Sequence, residues 1–147
     1  MYRFVEHQAD IALELQADSR EGLFRAALDA LKALLVPESD QSKTSPETAE
    51  KLKYPLQYTS IKAGGYDDEE RLIGLMNEFL YLCQVKDALP LDTKKMTFDD
   101  RGCVTAELAT IPKPPDLQFQ REVKAATYHD VQIESGEVWR VRIVLDV

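Results

Sequence analysis

Large apolar side chains fall on every second residue through Ile11-Ala12-Leu13-Glu14-Leu15-Gln16, the period of a strand with one buried face. Tyr2-Arg3-Phe4-Val5 is a shorter candidate strand ahead of it, and the polar run His7-Gln8-Ala9-Asp10 lies between the two. The period then changes. Leu23, Ala27, Leu31 and Leu34 make one row and Phe24, Leu28, Leu31 and Leu35 the next, which is one apolar face of a helix. Asp18 with Glu21 three residues on, or equally Ser19, caps its start, and Pro37 stops it. Residues 38–50 are polar, without period, and carry a proline at each border, so they read as a loop. From Lys51 to Lys62, Leu52, Tyr54, Leu56 and Tyr58 alternate with polar residues. Pro55 sends that strand to a sheet edge or a bulge, and Gly64-Gly65 ends it.

A second helix begins at Asp67-Asp68-Glu69-Glu70, where the macrodipole favours negative charge. Leu72, Leu75, Met76, Phe79, Leu80 and Cys83 form its buried stripe, and Asn77, Glu78 and Tyr81 lie off it. The last third reads as antiparallel sheet. Met96 and Phe98 pair with Val104, Ala106 and Leu108 across the turn Asp99-Asp100-Arg101-Gly102. A proline-rich link over Ile111 to Pro115 separates this hairpin from Glu122 to Glu134, and Glu134-Ser135-Gly136-Glu137 is another turn. In the final strand Trp139, Val141, Ile143, Leu145 and Val147 share one face, and Arg140, Arg142, Val144 and Asp146 the other. Strands with two main helices between them predict an α+β fold, a two-layer sandwich of mostly antiparallel sheet, in a single domain over residues 1–147.

Charge narrows the partners. The chain has 26 Asp and Glu against 18 Lys and Arg, a formal net charge of −8. Affinity for nucleic acid comes mostly from Lys and Arg displacing counterions, so no tight direct nucleic-acid binding is expected. Acidic groups instead suit hard cations and basic partner surfaces. Cys83 and Cys103 lack a C-x-x-C spacing and read as reduced, buried thiols of a cytoplasmic protein. Neither a signal peptide nor a membrane span is expected.

Signatures of catalysis are missing from the sequence: there is no phosphate-binding G-x-x-x-x-G-K-[ST] loop and no G-x-S-x-G elbow. Three features remain. His7-Gln8-Ala9-Asp10 places a histidine and a carboxylate three apart on non-helical backbone, although a surface His beside a turn Asp reads the same way. Leu145-Asp146-Val147 ends the last strand on an acid next to an α-carboxylate, and the two repel unless a cation, Arg140 or Arg142 compensates them. Glu78 flanks the apolar stripe of the second helix, where it is either half-buried and oriented or the solvated flank. His129-Asp130 carries the same ambiguity, and such a pair at a strand end is usually on the surface.

Four segments in order carry a resemblance: His-Gln-Ala-Asp-Ile at 7–11, Leu-Met-Asn-Glu-Phe-Leu-Tyr-Leu at 75–82, Glu-Val-Lys-Ala-Ala-Thr-Tyr-His at 122–129, and Asp146-Val147. Together they resemble the archease family over essentially the whole chain. Glu6 stands where the family opens its first motif with Asp, Gln8 stands for a threonine, and Gly74-Leu75 fills a region that usually holds tryptophan. The resemblance implies an activator of the RNA-splicing (tRNA) ligase, which joins 2′,3′-cyclic-phosphate or 3′-phosphate RNA ends to 5′-hydroxyl ends. Such an activator promotes guanylylation and multiple turnover of the ligase, in tRNA splicing or RNA repair, and is not itself an enzyme. It further implies a divalent cation (Ca²⁺, Mg²⁺ or Mn²⁺) held by positions matching Asp10, Asp146 and Val147, with His7 and Glu78 as supporting positions. No role for His129 is implied. Oxygen donors of this kind suit hard cations. Two other functions stay open on the residues alone: a stand-alone metal-dependent hydrolase acting through a cation-activated water, and a metal-free, chaperone-like interaction module.

Overall fold

A computed structural model describes residues 1–7 and 10–147, the side chains of Glu6 and His7 excepted. Gln8 and Ala9 of the polar run therefore lie outside the described residues. The elements in order are β1 (Tyr2–His7), β2 (Asp10–Ala17), α1 (Arg20–Leu35), a 3₁₀ helix (Glu38–Thr44), α2 (Pro46–Lys51), β3 (Gln57–Gly64), α3 (Asp68–Gln84), β4 (Ala88–Phe98), β5 (Cys103–Pro112), β6 (Ala125–Ala126) and β7 (Trp139–Asp146). The α+β class, the antiparallel pairing and the two main helices are as the sequence predicts. The strands divide into two sheets, ordered β1-β2-β7-β6 and β3-β5-β4, every pair antiparallel.

Local chemistry sets the helix ends. Ser19 rather than Asp18 caps α1, its Oγ accepting from the Gly22 N–H at 2.9 Å. Asp67 caps α3 by accepting from the Glu70 N–H at 2.8 Å. Both α1 and α3 touch strands of both sheets. Leu23, Phe24, Leu28, Leu31 and Leu35 of α1 and Leu72, Leu75, Met76 and Phe79 of α3 meet Leu13, Leu15, Ile143 and Leu145 from one sheet and Val104, Ala106 and Leu108 from the other in one continuous core. Among the described residues, no helix is long and apolar enough to cross a membrane.

Several expectations need correction. Residues 38–50 are not a loop: Ser45 accepts from the Thr48 N–H at 3.2 Å and Pro46 occupies the first turn of α2. Ala49 of α2 joins Val36, Leu89, Leu91, Ile111 and Leu117 in a second small cluster. The strand expected from Lys51 begins only at Gln57. Lys53 takes the left-handed conformation at φ 58°, which breaks extended backbone, and Leu52, Leu56 and Tyr58 stand 54%, 43% and 62% exposed. Their alternation does not mark a buried face. The hairpin register is as expected, with Met96 opposite Ala106 and Phe98 opposite Val104. Of Glu122 to Glu134 only Ala125–Ala126 forms a strand, and Glu134 bridges to Arg140 across the expected turn. Cys83 is buried as expected, whereas Cys103 at the start of β5 is only half-buried; both are free thiols.

Candidate metal centre

The pairing of β2 with β7 sets Asp10 directly opposite Asp146, in register with Ile11–Leu145, Leu13–Ile143 and Leu15–Val141. Those six apolar residues are buried. Alternation along a strand therefore sends both aspartates to the opposite face of the sheet. Residues facing each other across antiparallel strands have their Cβ atoms about 4.5–5.5 Å apart, and like charges so placed destabilise the sheet. Asp10 is half-buried and Asp146 exposed. Neither takes part in an ion pair among the described residues. Two carboxylates thus share one rung, with no ion-pair partner among the described residues.

The rung extends further. His7 lies opposite Asp10 on β1, and Ala125 opposite Asp146 on β6, so His7, Asp10, Asp146 and Ala125 run across all four strands. The sequence-predicted pair Asp10 and Asp146 is thus brought together with the backbone of His7. Val147 follows Asp146 and packs its half-buried side chain against the core. Glu78 is exposed on α3, and no hydrogen bond or ion pair links it to either aspartate among the described residues. His129 is exposed and pairs with Asp130 at 3.2 Å. Among the described residues, no group of three or more His, Cys, Asp or Glu side chains is arranged for a metal. The two carboxylates fit a hard cation whose other donors are main-chain oxygens and water, as such ions accept.

The main chain around Asp146 is pinned from both sides. The Lys124 N–H donates to the Asp146 carbonyl at 2.8 Å, and the N–H and hydroxyl of Thr127 donate to the Val144 carbonyl at 3.0 and 2.9 Å. On its other side this segment is gripped by two amides of α3. Asn77 accepts from the Ala126 N–H at 2.8 Å and donates to its carbonyl at 3.1 Å. Gln84 does the same for Val123, with both bonds at 2.8 Å. Asn77 lies within the 75–82 segment and Gln84 just beyond it, but neither was read from the sequence as a site-building residue. The available signal was two amides seven residues apart, one above the other on a single helix face.

Elsewhere the titratable groups point to structure. Burial pushes the Cys83 thiol up to about 12, which leaves it protonated and unreactive at neutral pH. Burial lowers the pKa of Lys32, against the pull of Asp29 and Asp92, and raises that of Asp29. Lys32 Nζ donates to the carbonyls of Thr44 and Leu91 at 2.8 and 3.2 Å, tying α1 to the 3₁₀ helix and to β4.

Comparison with known proteins agrees with this architecture. A protein archease of Methanosarcina barkeri is 26% identical over 99% of this chain and 95% of its own length. That of Methanopyrus kandleri is 28% identical over 97% and 96%, and that of Pyrococcus furiosus 29% over 97% and 95%. The fold matches the solution structure of Methanobacterium thermoautotrophicum protein 1598, with a TM-score of 0.69 and 19% identity over 99% of this chain and 98% of that one. It also matches a Thermotoga maritima crystal structure described as an archease and possible chaperone, with a TM-score of 0.63 and 20% identity over 100% and 98%. The model of the Archease protein family matches residues 2–147, and the chain belongs to the archease family.

Proposed function

We propose that the chain activates an RNA-splicing ligase, promoting its guanylylation and repeated turnover, through a divalent cation held by Asp10, Asp146 and a main-chain oxygen of Val147. The observation that carries this reading is the rung on which Asp10 and Asp146 face each other, neither in an ion pair among the described residues. When bound, the cation supplies positive charge and coordination positions for an oxygen donor of the partner. Asp10 and Asp146 hold it on a rigid pair of central strands, and Asn77 and Gln84 keep the β6 side of the rung in place.

The rest of the surface supports a partner of basic character. A net charge of −8 favours encounter with an RNA-handling protein rich in Lys and Arg, and that attraction is screened by salt. The chain does no chemistry itself in this reading: its buried thiol is protonated and its sequence has no phosphate-binding loop. The test is a ligase assay with purified ligase, RNA ends, GTP and Mn²⁺. Wild-type protein is expected to raise the guanylylated fraction and the number of turnovers, and Asp10→Asn or Asp146→Asn to abolish most of that gain. Full activation by both variants, or ligation by the protein without ligase, would overturn the reading.

A further inference from the structure

We propose that the outer face of the first sheet carries a second ligand site, a trough that binds a phosphate-type anion through Arg140 and Arg142. The face that bears Asp10 and Asp146 continues along β7 through Val144 to Arg142 and Arg140. Asp146 and Arg142 lie four positions apart along the strand, about 13 Å, so the trough is distinct from the cation rung. Arg3, Glu14 and Arg142 form one rung, and Gln16 faces Arg140 on the next. Glu134 and Arg140 exchange two backbone hydrogen bonds of 2.9 Å, and these raise the far wall. The trough is open to solvent and has a volume of about 440 Å³, the size of a small-molecule site.

The charges in this trough run against those of the protein. A chain of net charge −8 gathers three arginines here around two carboxylates, Glu14 and Glu134. Arg3 is paired with Glu14. Arg140 and Arg142 are in no ion pair among the described residues. Solvated arginines on a convex strand face need no ligand, but these two border a cavity and point the same way. They sit two residues apart, about 7 Å along the strand, so both planar forks reach one phosphate or two adjoining ones. Arginine keeps its charge at any working pH. Two arginine forks offer more N–H donors than one carboxylate can accept, so the site favours a multiply charged oxyanion whose several oxygens engage both, despite repulsion from the flanking glutamates. A free oligophosphate and a phosphate of an RNA strand offer the same chemistry.

Calorimetry in metal-free, low-salt buffer tests this with tripolyphosphate, a short single-stranded RNA and hexaglutamate as probes. Tripolyphosphate or the RNA is expected to bind one-to-one, and the tighter of the two names the source. Arg140→Gln with Arg142→Gln should weaken that binding about tenfold or more, while Lys94→Gln with Lys95→Gln, the same charge change on exposed β4 residues, should stay within about twofold. Arg142→Lys keeps charge and stem but loses the fork, and should weaken binding by a smaller factor even if the double variant folds poorly. No one-to-one binding of either phosphate probe, equal losses in the lysine control, wild-type affinity in Arg142→Lys, or equal affinity for hexaglutamate would each overturn the proposal.

Discussion

Replacing Asn77 by alanine isolates what holds the β6 side of the rung. Ala126 is 3% exposed, and its N–H and carbonyl turn away from β7 towards the Asn77 amide at 2.8 and 3.1 Å. The truncation strands both groups of one buried peptide unit. A neutral hydrogen bond contributes about 1 kcal/mol net, and a buried group left unpaired costs about 1–3 kcal/mol, so two bonds with partial water entry come to about 2–3 kcal/mol. For a domain of this length each kcal/mol lowers the unfolding midpoint by about 2–4 °C, so the fall should be about 4–12 °C by calorimetry or circular dichroism. Asn77→Asp separates the two bonds. It keeps an acceptor for the Ala126 N–H but sets a carboxylate against the Ala126 carbonyl, so its deficit should grow as pH rises through about 4. Gln84→Ala should weaken the same segment, and the double variant should lose less than the sum, because both amides grip one stretch of chain. An Asn77→Ala midpoint within about 1 °C of wild type, or an Asn77→Asp deficit independent of pH, would refute the reasoning.

Further outcomes follow from other named contacts. Lys32→Met keeps the stem but loses the bonds to Thr44 and Leu91, and should cost about 1–2 kcal/mol in chemical denaturation at pH 7. The folded pKa of Lys32 lies below its ordinary 10.5, so the unfolded chain binds more protons in the alkaline window; stability through this group rises from the lowered value towards 10.5, and Lys32→Met should flatten that rise. Asp99 accepts from the Cys103 and Arg101 N–H groups at 2.9 Å each, which holds its carboxyl below the ordinary 3.8. Its contribution is present above 3.8 and lost as pH falls through the depressed value, so the midpoint gap between wild type and Asp99→Ala should close in acid. Gly102 sits at φ +83° with the Gly65 carbonyl 2.8 Å from where a Cβ would stand. Gly102→Ala should therefore cost about 1–3 kcal/mol, while Gly136→Ala, with nothing within 4 Å, should stay within about 0.5 kcal/mol.

Where a segment buries one face, its period was readable. β2, β7, α1 and α3 were legible because Leu13, Leu15, Ile143, Leu145, Leu31 and Leu75 recur at the spacing of the element that hides them. The β4–β5 turn was legible because Asp99 and Gly102 are the residues that turn needs. The 51–62 strand misled because Leu52, Leu56 and Tyr58 alternate in solvent, and α2 was hidden because it is six residues long with Ala49 its one buried residue. The first half of β4 escaped notice because Pro90 interrupts it at a register shift. Division into two sheets is a matter of which strands pair, and pairing between strands distant in sequence leaves no local mark. For the site, alternation placed Asp146 opposite Leu145, but only the β2–β7 register sets it beside Asp10. The two amides of Asn77 and Gln84 share one helix face, but what they clasp was invisible because their partners are main-chain groups, which carry no sequence signature.

The shared cation is most directly tested by calorimetric titration of Ca²⁺ and Mn²⁺ into wild type, Asp10→Asn, Asp146→Asn and the double variant. Wild type should bind one cation, each single change should weaken it at least about tenfold, and the double should fall within about twofold of the weaker single, because ligands of one ion act as a unit. Wild-type affinity in either single variant, or losses that simply add, would contradict a site built jointly by Asp10 and Asp146.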